Sequence, residues 1–282
     1  MKNIMLSLLL LPGLVWAQED LLDRLDTLQT GEEHEIAVFK ALKIVNFEST
    51  KMVPKNHLYF VVSHRFGSIK SGIEDFFGLD KALTRLEFVH GLTDGINIGI
   101  SRSSFERTYG GSLKLRLVRQ AGNRTPFTLV LMNSLLLNGA LDRANLPGLE
   151  FQHRLSYGLQ ALLSRKMGQS LSLELIPTFF HDNLVALDGQ DNSQYALGFG
   201  GRYKLSNRVS LNADYGIHLN RVENSPFKNP LSVGIDIETG GHVFQLHFTN
   251  AQPMNVNNFL GQATGDWRRA DVYFGFNLLR IF

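Results

Sequence analysis

The sequence predicts an all-β fold: an antiparallel transmembrane β-barrel of about 12 strands behind an N-terminal signal peptide and a short leader. Two observations predict this fold class. Segments of about ten residues alternate between apolar and polar side chains, and that length lets a tilted strand cross the hydrocarbon core of a membrane. The connections alternate between short turns and longer loops, an arrangement typical of outer-membrane barrels.

The composition excludes several other classes of protein. With 44% hydrophobic and 19% charged residues, the chain of 282 residues is not intrinsically disordered. A formal net charge of only +2 gives no basic surface for nucleic acid, which we exclude as a partner. The absence of cysteine excludes disulfides, thiolate metal sites and a cysteine nucleophile. We expect no metal and no cofactor.

Residues 1–17 predict a secretory signal peptide. Lys2 supplies the positive end, Met5–Leu11 is a short apolar run, and Val15 and Ala17 are small residues before the expected cleavage site. A buried N-terminal helix is the alternative. No later stretch reaches the roughly 18 apolar residues of a membrane-spanning helix. The mature protein is therefore expected in the periplasm, outside the cell, or in the outer membrane as a barrel.

Residues 18–56 are assigned to a periplasmic leader. The part from 18 to 34 is polar and acidic, with leucines at helical spacing. The apolar part from 35 to 48 could form a thirteenth strand, a periplasmic strand, or a segment inside the lumen. We place it outside the barrel wall, because bacterial barrels have even strand numbers.

The barrel itself is predicted from residue 57 to residue 282. In its first strand, Leu58, Phe60 and Val62 form an apolar face opposite Tyr59 and Ser63. The segment 126–136 is unusual because it is apolar on both faces. A soluble sandwich is the alternative fold, but every apolar face would then need protein to cover it. The predicted strands are 57–66, 83–91, 95–103, 111–120, 126–136, 150–164, 170–180, 194–204, 208–219, 230–238, 242–249 and 268–282.

The connections orient the barrel. Short turns follow alternate strands, as at Asp94-Gly95 and Gly240-Gly241, and longer loops lie between them. Both termini are therefore expected in the periplasm, with the longer loops outside the cell. Phe282 ends the last alternating strand. A terminal aromatic residue there is similar to the signal that the outer-membrane assembly machinery recognises, so we expect that machinery and outer-membrane lipid as partners.

Two blocks of motifs resemble a family of bacterial outer-membrane β-barrels classified as a domain of unknown function. The resemblance covers about residues 36–282, and its specific motifs are 64–67 (HRFG), 76–80 (FFGLD), 91–94 (GLTD) and 99–103 (GISRS). It implies the fold and the outer membrane of a Gram-negative bacterium. It implies no activity.

One long loop is too apolar for a solvent-exposed connection. Residues 68–80 carry Ile73, Phe76, Phe77 and Leu79 beside Asp80. We expect this loop to fold into or across the lumen as a constriction. The alternative is an external loop that packs on its neighbours.

The polar faces of the strands predict a charged lumen. The basic residues that point inward by alternation are Arg65, Arg85, Lys114, Arg116, Arg154 and Arg202, and the acidic ones are Glu87, Glu174, Asp214, Asp236, Glu238 and Asp271. These balanced charges predict either ion pairs that fill a narrow interior or a charge-patterned channel.

Catalytic and metal motifs are weak. The histidines lack the HExxH spacing of zinc enzymes, although His218 and His247 point inward and could meet. In the two candidate serine–histidine pairs, at 63–64 and 153–156, the spacing puts the partners on opposite strand faces. We therefore expect passive passage or binding of a small polar solute. A structural or partner-binding subunit of an envelope complex is the first alternative, and a lipid-modifying enzyme is the second.

Overall fold

The computed structural model describes residues 38–121 and 125–282. The predicted signal peptide and residues 18–37 of the predicted leader lie outside the described residues. Within the described ranges, no helix is both long and apolar enough to cross a membrane.

The described residues form a closed antiparallel barrel in which each strand pairs with its sequence neighbours and the last strand pairs with the first. The predicted fold class is confirmed. The strands are β1 Leu58–Ser68, β2 Ala82–Thr93, β3 Ile96–Ser103, β4 Tyr109–Val118, β5 Thr128–Leu137, β6 Leu155–Met167, β7 Leu171–Asp182, β8 Ser193–Lys204, β9 Val209–His218, β10 Leu231–Thr239, β11 His242–Thr249 and β12 Tyr273–Ile281. Among the described residues, an α-helix, α1, spans Val256–Gly261, and short 3₁₀ helices span Ile69–Gly78, Phe105–Arg107, Phe151–Arg154 and Trp267–Arg269.

Two predicted strands begin later than expected. The segment 150–164 opens with a 3₁₀ helix, so β6 starts at Leu155. The segment 268–282 opens with the 3₁₀ helix of residues 267–269, which Asp266 caps, and Ala270 then takes a left-handed conformation at φ 54°. This conformation interrupts the extended backbone, and β12 starts only at Tyr273.

Burial alternates along the strands because successive side chains point to opposite faces. In β1, Ser63 and Arg65 are buried, while His64 and Phe66 are half-buried on the outer face. Ser63 pairs with Arg85 of β2 and with Asn277 of β12, so inward-facing residues of adjacent strands meet in rings. The outer face is apolar, as lipid requires.

The barrel has two unlike ends. At the turn end lie the first residue of β1 and the last of β12, together with short connections such as 94–95 and 240–241. At the loop end lie the longer connections 69–81, 104–108, 138–154, 183–192, 219–230 and 250–272. The predicted alternation of turns and loops is found at most connections. The exception is the turn-end connection 119–127, which is longer than the loop-end connection 104–108 and whose predicted turn at 122–124 lies outside the described residues.

Residues 38–53 fold back on themselves inside the lumen and are called the lumen hairpin. The Ile44 N–H donates to the Phe47 carbonyl at 2.9 Å, and the Ser49 N–H donates to the Leu42 carbonyl at 2.8 Å, which closes the tip at 44–47. The assignment of 18–56 to a periplasmic leader is therefore wrong for residues 38–53, whereas residues 54–56 are exposed at the turn end. Of the three alternatives for the apolar segment 35–48, the described part adopts the third, a position inside the lumen.

The hairpin lies inside because part of the inner wall is apolar. Val130, Leu162, Ile176 and Phe180 point inward from β5, β6 and β7 and are fully buried against Phe47 and its neighbours. Without an apolar partner, these side chains would face water in an open lumen, at a cost of about 1.5–3 kcal/mol each. The two-sided apolar character of segment 126–136 has the same cause.

A second segment enters from the loop end. Residues 250–265 of the last long connection, called the inserted loop, carry α1 into the lumen, where Phe259 and Leu260 are buried. The rings of Phe47 and Phe259 meet edge to face at 4.9 Å. The hairpin and the inserted loop thus share one apolar core inside the barrel.

The closed lumen as candidate functional site

Most of the predicted lumen residues lie where the alternation placed them. Buried and inward-facing are Arg65, Arg85, Glu87, Lys114, Glu174, Arg202, Asp214 and Asp236. Arg116 and Glu238 are half-buried near the turn end. Arg154 and Asp271 precede β6 and β12 and lie at the loop end, where Arg154 lines a cavity. Their segments were predicted as strand but form a 3₁₀ helix and a loop, so strand alternation does not apply to them.

Asp214 holds the tip of the lumen hairpin. Its Oδ2 atom accepts hydrogen bonds from three consecutive backbone N–H groups, those of Val45, Asn46 and Phe47, at 3.1, 2.7 and 3.1 Å. Three donors that converge on one buried carboxylate oxygen form a strong, charge-assisted contact. This contact fixes the conformation of the tip as well as its position.

The Asn46 side chain extends the contact across the barrel. Its amide nitrogen donates to Ser232 at 2.8 Å and to Thr249 at 3.0 Å, and its oxygen accepts from Arg65 at 2.6 Å. These partners lie on β10, β11 and β1. One side chain at the tip therefore joins three strands of the wall.

An ionic network surrounds the returning arm of the hairpin. Glu48 pairs with Lys43 of the hairpin and with Lys114 of β4, the latter at 3.1 Å, and Arg85 pairs with Glu87 of β2 at 3.0 Å. Burial alone would raise the pKa of Glu48, but the charges of Lys43, Lys114 and Arg85 outweigh it and lower the pKa to about 2. Glu48 is therefore ionised at any physiological pH.

Further side chains of the wall hold the hairpin along its length. The Thr50 hydroxyl lies 2.6 Å from the Ser164 hydroxyl of β6. Gln245 of β11 donates to the carbonyl groups of Lys43 and Ile44, each at 3.0 Å. These contacts are made by wall side chains, and the described hairpin adds no strand to the barrel sheet.

Cavities remain at both ends of this plug. At the turn end, a cavity of about 280 Å³ lies between the hairpin and the wall, and it is called the turn-end cavity. At the loop end, a cavity of about 180 Å³ lies between α1 and the wall, and it is called the loop-end cavity. Between them, beside Glu48, lie spaces of only about 30 and 10 Å³. The first is roughly the room of one water molecule, so the plug separates the two larger cavities.

A family model described as "Membrane bound beta barrel domain (DUF5777)" matches residues 39–282. The chain belongs to this family. The matched region includes the lumen hairpin almost completely, so the hairpin is part of the family's domain. The predicted resemblance to a family of unknown function is confirmed.

Solved structures with a similar fold are outer-membrane porins and channels. The NanC porin is 10% identical, with a TM-score of 0.50 over 80% of this chain and 99% of that one. The KdgM porin in complex with disordered oligogalacturonate is 9% identical, with a TM-score of 0.50 over the same shares. The COG4313 outer membrane channel from Pseudomonas putida F1 is 15% identical, with a TM-score of 0.48 over 82% and 97%. No curated protein matches the chain in sequence.

Family and fold together place this DUF5777 member in the outer membrane of a Gram-negative bacterium. Sequence identities this low carry the fold only.

The predicted constriction loop does not enter the lumen of this family member. Ile73, Phe76 and Phe77 are 79%, 59% and 54% exposed, and Asp80 is exposed as well. The lumen is already filled by the hairpin and the inserted loop, which leaves no room for it. The loop instead folds back at its base, where the Ile69 N–H donates to the Val272 carbonyl at 2.9 Å.

Two motif glycines explain the base of this loop. Gly78 has φ 84°, and a Cβ atom there would lie 2.9 Å from the Gly67 Cα atom and closer still to its carbonyl group. Only glycine fits such a backbone conformation and approach. The family motifs at 64–67 and 76–80 therefore meet in space.

The remaining candidates show no catalytic or metal geometry. His218 packs on the Phe180 ring at 5.3 Å, while His247 is buried beside β12. Within residues 38–121 and 125–282, no group of three or more histidine or acidic side chains could hold a metal ion. Phe282 pairs with Leu58 through two backbone hydrogen bonds of 2.9 and 3.2 Å, which closes the barrel at the turn end. Its recognition by the assembly machinery stays a prediction.

The sequence analysis did not predict the side chains that close the lumen, which are Asn46, Glu48 and Thr50. Two signals pointed to them. The segment 35–48 was too apolar for a periplasmic leader, and the segment 126–136 had an apolar inner face that needed an apolar partner.

Proposed function

We propose that this barrel passes small polar solutes across the outer membrane through a lumen that opens when the lumen hairpin moves. The observation that carries this proposal is the arrangement of the two cavities, one at each end, with the hairpin between them. Passive passage through a fixed pore would need a continuous path, and in the described part of the chain the hairpin lies across the lumen with only small spaces beside it.

The way the hairpin is held supports its movement. Besides its apolar contacts with the wall, the hairpin is held by side-chain hydrogen bonds and ion pairs, which water can replace as the hairpin moves. Ser232, Gln245 and Asn277 would then line the opened path on one side. Such a polar lining favours polar solutes over apolar ones.

A disulfide between the hairpin and the wall tests this proposal. The hydroxyl oxygens of Thr50 and Ser164 lie 2.6 Å apart, so cysteines at both positions can form a disulfide without moving the backbone far. The chain has no other cysteine to interfere. In planar bilayers, we expect the oxidised Thr50→Cys/Ser164→Cys barrel to show no current steps. Reduction should restore the steps seen with the wild type.

The single variant Thr50→Cys is the matched control, and oxidant should not change its current. Heat-modifiable migration on gels verifies that each variant is folded. Equal step frequency in the oxidised and reduced double variant would contradict gating by the hairpin. Absence of steps in the wild type and in the reduced variant would contradict passage altogether.

One observation favours a second candidate, a partner-binding subunit of an envelope complex. The loop of residues 69–81 exposes Ile73, Phe76 and Phe77 at the loop end, and exposed apolar side chains in one segment are typical of protein contacts. Co-purification of a fixed partner, lost in the triple change of these residues to serine, would support this candidate.

We infer that the protein is not a lipid hydrolase. Ser63 points inward and His64 outward, as the spacing predicted. His153 and Ser156 do line the same cavity, contrary to the expectation from spacing. However, Nδ1 of His153 accepts from the Glu150 N–H at 3.0 Å, so Nε2 carries the proton and cannot act as a base.

A further inference from the structure

The loop-end cavity is a defined space at the end of the barrel that carries the longer connections. Its floor is formed by Asn258 and Gln262 at the end of α1, and its sides by β5, β6, β7 and the connections next to them. The volume of about 180 Å³ holds roughly six water molecules. That is room for one sugar-sized ring with its hydroxyl groups.

The lining offers both acceptors and donors of hydrogen bonds. Its polar side chains are Glu106, Thr108, Asn138, His153, Arg154, Ser156, Asp182, Asn258 and Gln262. An aliphatic wall faces them, made of Leu136, Leu141, Leu184, Val185 and Ala186. A solute that suits this lining carries hydroxyl groups, which donate and accept, around a compact carbon skeleton.

Neighbouring amides hold the two carboxyl groups of the cavity in place. Asn138 donates to Glu106 at 2.9 Å, and Asn257 and Gln194 donate to the two oxygens of Asp182 at 2.7 and 3.0 Å. Burial and the nearby charge of Asp182 raise the pKa of Glu106. Because these groups are fixed before any solute arrives, binding costs little reorganisation.

Other polar atoms in the cavity remain available. Arg154 uses Nη1 for a contact of 3.3 Å with the Asn138 carbonyl. Within the described parts of the chain, its Nε and Nη2 atoms and the Gln262 side-chain amide make no hydrogen bond to protein. These groups can donate to, and the Gln262 oxygen can accept from, the oxygen-bearing groups of a solute in the cavity.

We propose that the loop-end cavity binds one compact polyhydroxylated solute, the size of a single sugar ring, that carries no negative charge. Two carboxyl groups against one guanidinium leave no net positive charge for an anion. This inference rests on the proposed function. It adds to that function the class of solute that the barrel would bind at its loop end.

Three sugars of nearly equal size test the site: D-glucose, D-glucosamine and D-glucuronate. Titration calorimetry on the detergent-purified full chain should show saturable binding of glucose and glucosamine. Glucuronate should bind at least tenfold more weakly, since its carboxylate would face Glu106 and Asp182. Equal affinity for glucuronate, or no binding of glucose and glucosamine, would overturn the proposal.

A matched pair of substitutions places the binding in the cavity. Ala186→Phe puts a ring into the cavity from its rim, and we expect at least a tenfold loss of glucose affinity. Ala144→Phe adds the same ring at an exposed loop-end position outside the lining, and the affinity should not change. An unchanged affinity in Ala186→Phe would also overturn the site.

Liposome swelling separates the site from the proposed function. If the barrel binds glucose but does not let it enter liposomes, the proposed passage is contradicted and the binding site is supported. If glucose enters the liposomes but shows no saturable binding, the binding site is contradicted and the proposed passage is supported.

Discussion

Replacing Asp214 with alanine is expected to raise the open probability of the barrel about a hundredfold. The substitution leaves three buried N–H groups at the hairpin tip without their acceptor. Unsatisfied buried donors cost about 1–3 kcal/mol each, so a loss of about 3 kcal/mol from the closed state is a conservative estimate. Every 1.4 kcal/mol changes an equilibrium about tenfold. Single-channel recording measures the open fraction directly.

Two controls accompany this variant. Asp214→Asn keeps one carbonyl oxygen for the tip but loses the charge, and we expect an intermediate open probability. Thr178→Val removes a buried polar group of the wall whose hydrogen bonds go to Gln160 and Ile176 rather than to the hairpin. It should gate like the wild type.

An open probability unchanged by Asp214→Ala would show that the tip does not control the lumen. An equal increase in Thr178→Val would point to general loosening of the wall. Either result would contradict the proposed gating, whereas the graded order of wild type, Asn and Ala would support it.

The wall of the barrel could be predicted because its cause is local. Side chains along β1 or β9 alternate between apolar and polar because one face of the strand contacts lipid and the other faces the barrel interior. Each strand therefore shows this pattern in its own sequence. The predicted inward positions of Arg65, Lys114 and Asp214 follow from the same alternation, and the structure buries all three. Strand alternation gives no direction for Arg154 and Asp271, because their segments are not strands.

The contents of the lumen could not be predicted in the same way, because their cause is not local. Asp214 contacts residues that lie 167 to 169 positions away in the sequence, and the alternation of apolar and polar residues cannot predict such a distant pair. The prediction for the loop at Phe76 and Phe77 was wrong in the opposite direction, because these residues were expected inside the lumen and are exposed. Its apolar residues predicted burial in the lumen, but the hairpin and the inserted loop had already filled that space.

The inner wall also predicts a large difference between two glycines of β8 that lie three residues apart. A Cβ atom at Gly198 would lie 2.6 and 2.7 Å from ring atoms of Phe47 and 3.1 Å from Ile176. Phe47 is only 1% exposed and cannot move aside easily. Overpacking of this kind costs about 1–3 kcal/mol, so Gly198→Ala should lower the free energy of unfolding by that amount in guanidinium titrations.

Gly201→Ala supplies the matched control on the outer face of the same strand. Its Cβ atom would reach Leu173 at an ordinary 3.6 Å, so the free energy of unfolding should stay within about 0.5 kcal/mol of the wild type. Phe47→Leu should recover part of the loss in Gly198→Ala, since the two sites are in contact and their effects are not additive. If both glycine variants lose the same free energy of unfolding and Phe47→Leu restores none of it, then β8 does not tolerate a side chain at either position. The hairpin would then not pack against β8 as described.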